Sequence, residues 1–236
     1  MREISIPKPV IDRVVARRGR EHVFEDLNPR KTALVVVDMQ NAFMLEGVAH
    51  TLCPMAQEIV PNINRLAQTV RQTGGTVVFV KTTFTEETLT SWSTFYEISR
   101  PEQNRKRAEA LKAGSKGHEL WASLDVRPDD ILVEKKRFSA FIQGSSDLAD
   151  RLRARGLDTI LVTGTVTGVC CESTARDAMM LNFKTIMVTD GNAAMTDEQH
   201  AASLIAFYLN FGDVMSTEKL IGCLTRNARG GLAAAE

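Results

Sequence analysis

The sequence predicts an α/β fold, a doubly wound and mostly parallel sheet of six strands with helices on both faces. Short apolar, β-branched runs alternate along the chain with longer segments of helical spacing, which is the pattern of strand–helix–strand units. The runs are apolar throughout rather than at every second residue, as expected for strands that are covered on both faces. The 236 residues suffice for one large domain of this kind.

The strands are predicted from six apolar runs, at residues 32–37, 76–80, 130–134, 159–163, 184–189 and 213–215. Helical spacing predicts helices at residues 54–73, 102–112 and 146–155, from Cys170 to about 181, at 196–209 and from about Thr217. Pro61 is expected to kink or restart the first of these helices, because proline cannot donate a helical hydrogen bond. The resulting order is an uninterrupted alternation of strands and helices.

The chain divides into three parts by composition. Residues 1–30 are polar and contain three prolines, which predicts an N-terminal extension packed on the surface or on a neighbouring subunit. Residues 31–225 form the single domain, and residues 226–236 are expected to be a flexible tail. Residues 82–124 are irregular and rich in aromatic side chains, so they are either a substrate lid, an oligomer contact or a packed surface excursion.

Charge and cysteine content restrict the function. Twenty-nine basic residues balance 29 acidic ones, which argues against a general nucleic-acid surface. No apolar stretch is long enough to span a bilayer, and the N-terminus lacks the hydrophobic core of a signal peptide. The four cysteines show no metal-binding or disulfide spacing. These features predict a protein of the reducing cytoplasm that binds neither nucleic acid nor membrane.

The most informative segment joins the fourth predicted strand to the helix after it through a turn rich in Gly and Thr. Cys170 lies where that helix is expected to begin, near backbone N–H groups that lack partners within the helix. The positive end of the helix dipole is expected to lower the pKa of a thiol placed there. The same N–H groups could hold the oxyanion that forms when a thiolate attacks a carbonyl.

Two ionisable residues follow other predicted strands, Asp38 after the first and Lys135 after the third. Parallel strands bring their carboxyl ends to one edge of the sheet, so Asp38, Lys135 and Cys170 can converge there. Asp38 would then act as the base, with Lys135 holding it ionised. Buried packing for the Cys, helix capping for the Asp and a solvated Lys are the alternatives, and composition alone does not separate Lys135 from Lys136.

Three blocks of sequence resemble the isochorismatase-like cysteine hydrolases. They are residues 35–43 (VVVDMQNAF), 135–141 (KKRFSAF) and 164–174 (GTVTGVCCEST), similar to the family patterns D-x-Q, K-x-R-[YF]-S-x-F and G-x-x-T-x-x-C-V-x-x-T. The resemblance covers roughly residues 31–225 and is nearest to ureidoacrylate amidohydrolase and N-carbamoylsarcosine amidohydrolase. It implies a Rossmann-like, isochorismatase-like hydrolase fold with a catalytic triad of Asp38, Lys135 and Cys170.

The resemblance also implies details of the turn before Cys170. It implies a cis peptide bond between Val166 and Thr167, and an oxyanion hole formed by the backbone N–H groups of Thr167 and Cys170. Cys171 stands where the family has Val, so it is expected to be a buried bystander. The Asp-x-His motif of metal-binding relatives is missing, which predicts no catalytic metal and no cofactor. The glycine spacing does not fit a dinucleotide-binding loop.

Together these observations predict a cysteine-dependent amidohydrolase that releases ammonia from a small linear amide or ureido compound, similar to ureidoacrylate, through an acyl-enzyme. The alternatives are an isochorismatase-type ether hydrolase and a non-enzymatic protein on the same scaffold. The residues predicted by position to bind the substrate are Gln40, Asn41, Trp92, Tyr96, Arg137 and Phe141. The resemblance further implies a homodimer or a homotetramer.

Overall fold

Six parallel strands form one sheet in the computed structural model, which describes residues 6–233. The sheet order is β3-β2-β1-β4-β5-β6, and every neighbouring pair of strands is parallel. The strands are β1 (Thr32–Val37), β2 (Thr76–Thr82), β3 (Ile131–Lys135), β4 (Thr159–Thr165), β5 (Lys184–Ala193) and β6 (Asp213–Met215). The predicted six-stranded α/β fold is therefore confirmed.

Helices connect the strands and cover both faces of the sheet. The α-helices are α1 (Lys8–Arg18), α2 (Asn41–Met44), α3 (Val60–Gln72), α4 (Glu87–Ser91), α5 (Ser93–Glu97), α6 (Pro101–Leu111), α7 (Leu148–Ala154), α8 (Glu172–Met180), α9 (Asp197–Asn210) and α10 (Thr217–Ala233). Short 3₁₀ turns lie at Pro29–Lys31, Pro54–Gln57 and Lys116–His118, and a π-helical turn spans Thr167–Cys171. Pro61 restarts the helix as predicted, because it lies in the first turn of α3, where no backbone donor is needed.

The side chains of the central strands alternate between two separate cores. In β1, Leu34 and Val36 belong to the core that also contains α3 and α10. Ala33 and Val35 face the opposite core, which α1, α7, α8 and α9 complete. All of β1 is buried, as its apolar run predicts for a strand in the middle of a doubly wound sheet.

The sheet changes winding direction between β1 and β4, and Gly164 permits a close approach there. Its φ is +116°, and a Cβ at this position would lie 2.0 Å from the carbonyl oxygen of Val37. Any larger residue would push the two strands apart. Ligands of open α/β sheets bind beyond the carboxyl ends of the strands at such a switch point.

The N-terminal extension packs against the domain of its own chain. Arg18, at the end of α1, donates hydrogen bonds to the carbonyl oxygens of Tyr208 and Gly212. The Tyr208 hydroxyl donates to the carbonyl oxygen of Glu21. The sequence did not predict α1, which has helical residues but little apolar periodicity.

The C-terminal helix is longer than the sequence indicated. Helix α10 continues through Ala233, so residues 226–233 are helical where a flexible tail was expected. Asn227 accounts for part of this order, because its side-chain amide donates to the carbonyl oxygens of Glu25 and Leu27. The rest of the expected tail, residues 234–236, and residues 1–5 of the extension lie outside the described residues. No helix within residues 6–233 is long and apolar enough to cross a bilayer.

Candidate active site

A cavity of about 700 Å³ opens at the carboxyl ends of β2, β3, β4 and β5. Cys170 lies in its wall, on the π-helical turn between β4 and α8. Much of the remaining wall comes from residues 82–124, in which helix α6 matches the helix predicted at residues 102–112 and the short helices α4 and α5 were not predicted from the sequence. This segment therefore encloses the cavity, which is the position expected of a substrate lid.

Asp38 and Lys135 form a fully buried ion pair beside this cavity. The Nζ of Lys135 lies 2.8 Å from Oδ2 of Asp38, and neither side chain is exposed to solvent. Thr82, at the end of β2, bridges the two: its hydroxyl donates to Oδ1 of Asp38 at 2.9 Å and accepts from Lys135 Nζ at 2.5 Å. Lys135 also donates to the carbonyl oxygen of Arg137. The contacts hold the carboxylate and the ammonium in one orientation.

The Oδ2 atom of Asp38 retains a lone pair for a further proton. Lys135 is its charge partner, and no other donor among the described residues reaches it. Cys170 lies next to both Asp38 and Lys135, whose charges act on its thiol. The three side chains that the sequence placed at the ends of separate strands therefore meet at one point. Their arrangement allows the carboxylate to accept the thiol proton.

The charge state of Cys170 differs from the one that the sequence indicated. Burial raises the pKa of the Cys170 thiol, and Asp38 raises it further, while Lys135 opposes both effects. The expectation of a lowered pKa was wrong for two reasons. Helix α8 begins only at Glu172, so Cys170 is not at its N-terminus, and the thiol is only 5% exposed. Cys170 is therefore a neutral thiol at rest and needs a base.

Lys135 remains protonated despite its burial. Burial alone would lower its pKa, but the neighbouring Asp38 and Cys170 outweigh that effect and raise the pKa above its ordinary value. Lys136 points to the other side of the chain, where it is partly exposed and pairs with Glu87 at 2.5 Å. The alternation of buried and exposed residues along β3 thus brings Lys135, and not Lys136, to the carboxylate.

The cis peptide bond lies one residue earlier than the resemblance implied. It joins Thr165 to Val166, and the expected position between Val166 and Thr167 is wrong. The physical reason is the start of the π-helical turn. Strand β4 ends at Thr165, and the carbonyl oxygen of Val166 already accepts hydrogen bonds from the N–H groups of Val169 and Cys171. The chain must therefore leave the strand at the Thr165–Val166 peptide.

The shift also affects the predicted oxyanion hole. Val166 and Cys170 line the cavity, whereas Thr167 is fully buried behind it. The Thr167 hydroxyl is hydrogen-bonded to Nδ1 of His200 at 2.7 Å. Cys171 is also fully buried and directs its Sγ toward the carbonyl oxygen of Thr163. Cys170 and Cys171 therefore face different surroundings.

Three of the six predicted substrate-binding residues line the cavity, namely Trp92, Tyr96 and Arg137. Trp92 stacks on Phe95 with ring centroids 4.1 Å apart, and the guanidinium of Arg137 lies over the Trp92 ring. Arg137 donates to the backbone carbonyl oxygens of Lys136 and Ser91 and to the Ser91 hydroxyl. Much of its hydrogen-bonding capacity is used within the protein.

The other three, Gln40, Asn41 and Phe141, do not line the cavity. The Gln40 amide is fully buried and pairs with the backbone of Thr82, which it helps to position. Asn41 donates to the carbonyl oxygen of Lys116, and Phe141 packs in the core beside Phe183. These residues follow the strands in sequence, but their side chains point away from the cavity.

Thr82, His50 and Arg107 were not identified from the sequence, although each lines the cavity. The position of Thr82 at the end of β2 was the one available signal, since polar residues at that edge face the site. His50 and Arg107 come from a loop and from α6, and they approach only in three dimensions. Among the described residues, no three His, Cys, Asp or Glu side chains cluster closely enough to hold a metal ion.

Comparisons with known proteins show what the chain is similar to. Residues 32–219 match the isochorismatase domain model. The uncharacterised isochorismatase family protein YecD of Escherichia coli O157:H7 is 32% identical, over 84% of this chain and 99% of YecD. Ureidoacrylate amidohydrolase RutB of Pseudomonas savastanoi is 31% identical, over 81% of this chain and 83% of RutB. A crystal structure of a cysteine hydrolase from Pseudomonas syringae pv. phaseolicola superposes with a TM-score of 0.75 at 30% identity, covering 86% of this chain and 96% of the other.

Proposed function

The chain belongs to the isochorismatase family of hydrolases, and from that premise we propose that it is a cysteine-dependent amidohydrolase. It would cleave the C–N bond of an amide or ureido compound and release ammonia. One observation carries the proposal: the Cys170 thiol lies at the cavity wall next to the buried Asp38–Lys135 pair, whose charges act on it. RutB of P. savastanoi, which is named as an amidohydrolase, provides further support.

The reaction begins with a proton transfer from the neutral thiol. As the thiolate attacks the substrate carbonyl, Oδ2 of Asp38 accepts the proton from Cys170. Lys135 stabilises the negative charge on either partner, so the cost of moving a proton inside a dry site is reduced. The resting thiol is thus activated only when an electrophile is in place. Asp38 serves as the base, so the reaction does not need a histidine in that role.

The tetrahedral intermediate then releases ammonia. Its oxyanion is placed to accept hydrogen bonds from backbone N–H groups of the turn, and Val166 and Cys170 are the candidates because both line the cavity. Asp38 returns the proton to the departing nitrogen as the C–N bond breaks, which leaves a thioester on Cys170. Asp38 next deprotonates a water molecule that attacks the thioester. Asp38 passes the proton of this water to the departing thiolate, so the products are the free thiol and a carboxylic acid from an amide or a carbamic acid from a ureide, with one water consumed for each ammonia.

The proposal is tested by screening primary amides and ureides for ammonia release by the wild type, Cys170→Ala and Cys171→Ala. We expect Cys170→Ala to lose at least about three orders of magnitude in kcat, since no other thiol lines the cavity among the described residues. Cys171→Ala is the matched control and should retain activity, because Cys171 has no access to the cavity. Equal rates for Cys170→Ala and the wild type would refute the covalent mechanism.

Two further outcomes would favour other functions on the same scaffold. If Cys170→Ala still cleaved a vinyl ether, the protein would be an ether hydrolase. If the wild type turned over none of the amides, ureides and vinyl ethers, the protein would be non-enzymatic. Assembly as a homodimer or homotetramer and a cytoplasmic location remain proposals. Light scattering coupled to size-exclusion chromatography would determine the oligomeric state.

A further inference from the structure

We propose that the cavity contains a carboxylate subsite, formed by Arg107 and His50, and that the substrate is an amide or ureide whose carboxylate and scissile carbonyl are separated by an apolar, ring-sized body. The inference rests on the proposed function for the scissile bond. It replaces the small linear compound predicted from the sequence with a larger one, in which an apolar ring separates the carboxylate from the scissile carbonyl.

Arg107 provides an oriented positive charge with no carboxylate partner. Its guanidinium stacks over the Phe95 ring, 4.4 Å from the centroid, and Nη1 donates to Oδ1 of Asn104 at 2.9 Å. Among the described residues no carboxylate forms an ion pair with it, although burial lowers its pKa. Most of its N–H donors thus remain for a ligand, in the forked geometry that matches a carboxylate.

His50 provides the second, independent observation. Its side chain lines the cavity and is only 7% exposed, and its Nδ1 has no hydrogen-bond partner among the described residues. Unpartnered buried polar atoms are costly, so they indicate a group that a ligand satisfies. Burial, with Arg107 next in effect, lowers the pKa of His50 to about 3, so its imidazole is neutral at pH 7.

The backbone fixes these two residues relative to each other. Gln103 of α6 donates from its side chain to the carbonyl oxygen of His50 at 3.0 Å. Arg107 follows Gln103 by four residues, so both lie on the same face of α6. The subsite is therefore built from the His50 loop and from α6, a helix that closes the cavity.

The cavity that contains both this subsite and Cys170 is bordered by aromatic rings. Phe84, Trp92, Phe95, Tyr96 and Phe138 all line the cavity, and the five rings form a continuous set of stacked and edge-on contacts. Such walls favour a flat apolar group. A cavity of about 700 Å³ is also much larger than a short linear ureide needs.

Other charged groups in the wall are already paired or engaged. Glu172 pairs with Arg176 and accepts a hydrogen bond from Ser203, so the cavity next to Cys170 is unfavourable for an anion. Lys136 pairs with Glu87, and Arg137 donates to backbone oxygens. The position left for the substrate carboxylate is at Arg107.

The test compares two substrates, phenylpropanamide and the same amide with a para-carboxylate on its ring. We measure kcat/KM by ammonia release for the wild type, Arg107→Met, His50→Phe and the control Arg105→Met. Arg105 lies on the same helix, is exposed and does not line the cavity. We expect the wild type to prefer the carboxylate substrate, and Arg107→Met to reduce the ratio of the two kcat/KM values by roughly 10- to 100-fold. His50→Phe should reduce the ratio by several fold, and Arg105→Met should keep it.

A binding experiment separates this proposal from the proposed function. Calorimetry with Cys170→Ala and the para-carboxylate amide, with and without Arg107→Met, reports on the subsite without turnover. Binding that depends on Arg107 while the wild type hydrolyses neither amide would support the subsite and count against the hydrolase. Hydrolysis of both amides at an equal rate, with a ratio that Arg107→Met leaves unchanged, would overturn the subsite and leave the hydrolase intact.

Discussion

Thr82 is the residue whose replacement tests the geometry of the site most specifically. Its hydroxyl links Oδ1 of Asp38, at 2.9 Å, with Nζ of Lys135, at 2.5 Å. Thr82→Val removes both hydrogen bonds and keeps the shape of the side chain. The 2.8 Å ion pair itself and the bond from Lys135 to Arg137 would remain. The substitution thus removes orientation and leaves the charges in place.

The expected magnitude follows from the partners of the lost bonds. A hydrogen bond to a charged group contributes roughly 1.5–3 kcal/mol, and its loss inside a dry site leaves a charged group short of one partner. Two such bonds predict a loss of about 3–6 kcal/mol in the free energy of unfolding. For a domain of this size that corresponds to a melting temperature lower by roughly 6–24 °C. We also expect kcat to fall by about 10- to 100-fold, because Asp38 is no longer held against Cys170.

Thermal unfolding and steady-state ammonia release measure the two effects. Thr82→Ser keeps the hydroxyl and should lose only about 1 kcal/mol, from one buried methyl group. Thr90→Val is the matched surface control, since Thr90 is exposed and bonds only to the backbone of Glu87. If Thr82→Val had the stability and kcat of the wild type, the bridging role assigned to Thr82 would be wrong.

Three other predictions test separate parts of the site. Lys135→Met leaves Asp38 buried without its counterion, so it should lower the free energy of unfolding by about 3–5 kcal/mol and abolish nearly all activity. Lys136→Met should keep the stability and the activity of the wild type. The reverse order of the two variants would contradict the assignment of Lys135 to the site. The pKa of His50 is lowered in the folded protein, so between about pH 6.5 and 3 the unfolded chain binds a proton that the folded chain does not. The free energy of unfolding therefore decreases as the pH is lowered through that window, by up to about 1.4 kcal/mol per pH unit. His50→Phe should remove this part of the pH dependence in chemical denaturation, and an unchanged pH dependence would contradict a buried neutral imidazole. Iodoacetamide should label Cys170 before Cys171, and the rate of labelling should increase toward alkaline pH. Peptide mapping that finds Cys171 labelled first would contradict the placement of the two thiols.

Strands were the most predictable part of this fold. The runs at β1 and β6 have the observed bounds, because continuous apolar, β-branched segments leave no alternative to a covered strand. Strand β5 continues four residues beyond its apolar run. Asn192 extends it, since its buried side-chain amide donates to the carbonyl oxygens of Val162 and Val188. A contact of this kind depends on the neighbouring strand and has no local signature.

The site was predictable as far as the ends of strands determine it. Asp38, Lys135 and Cys170 each follow a strand that parallel topology brings to one edge. The direction of a side chain beyond a strand is a different matter, because it depends on the turn that follows. Gln40 and Phe141 were expected in the cavity and point into the protein. The resting state of Cys170 could not be foreseen either, since burial of the thiol is a property of the assembled domain.

The segment at residues 82–124 also contains a site residue that the sequence could not identify. Its aromatic residues suggested a lid, an oligomer contact or a surface excursion, yet Arg107 gave no signal, because the role proposed for it depends on its having no carboxylate partner among residues 6–233. Helix α6 reads as a solvated, charged helix in sequence. Only its packing against the His50 loop shows that one face closes the cavity.

The central claim is that Cys170 forms a thioester with the substrate, and intact-protein mass spectrometry of a rapidly quenched reaction tests it most directly. Acid quenching within the first turnover should give a species heavier by the mass of the amide minus ammonia. Peptide mapping should place the added mass on Cys170, and the species should be missing with Cys170→Ala. Ammonia release by the wild type with no adduct at any quench time, together with full activity of Cys170→Ala, would contradict the account.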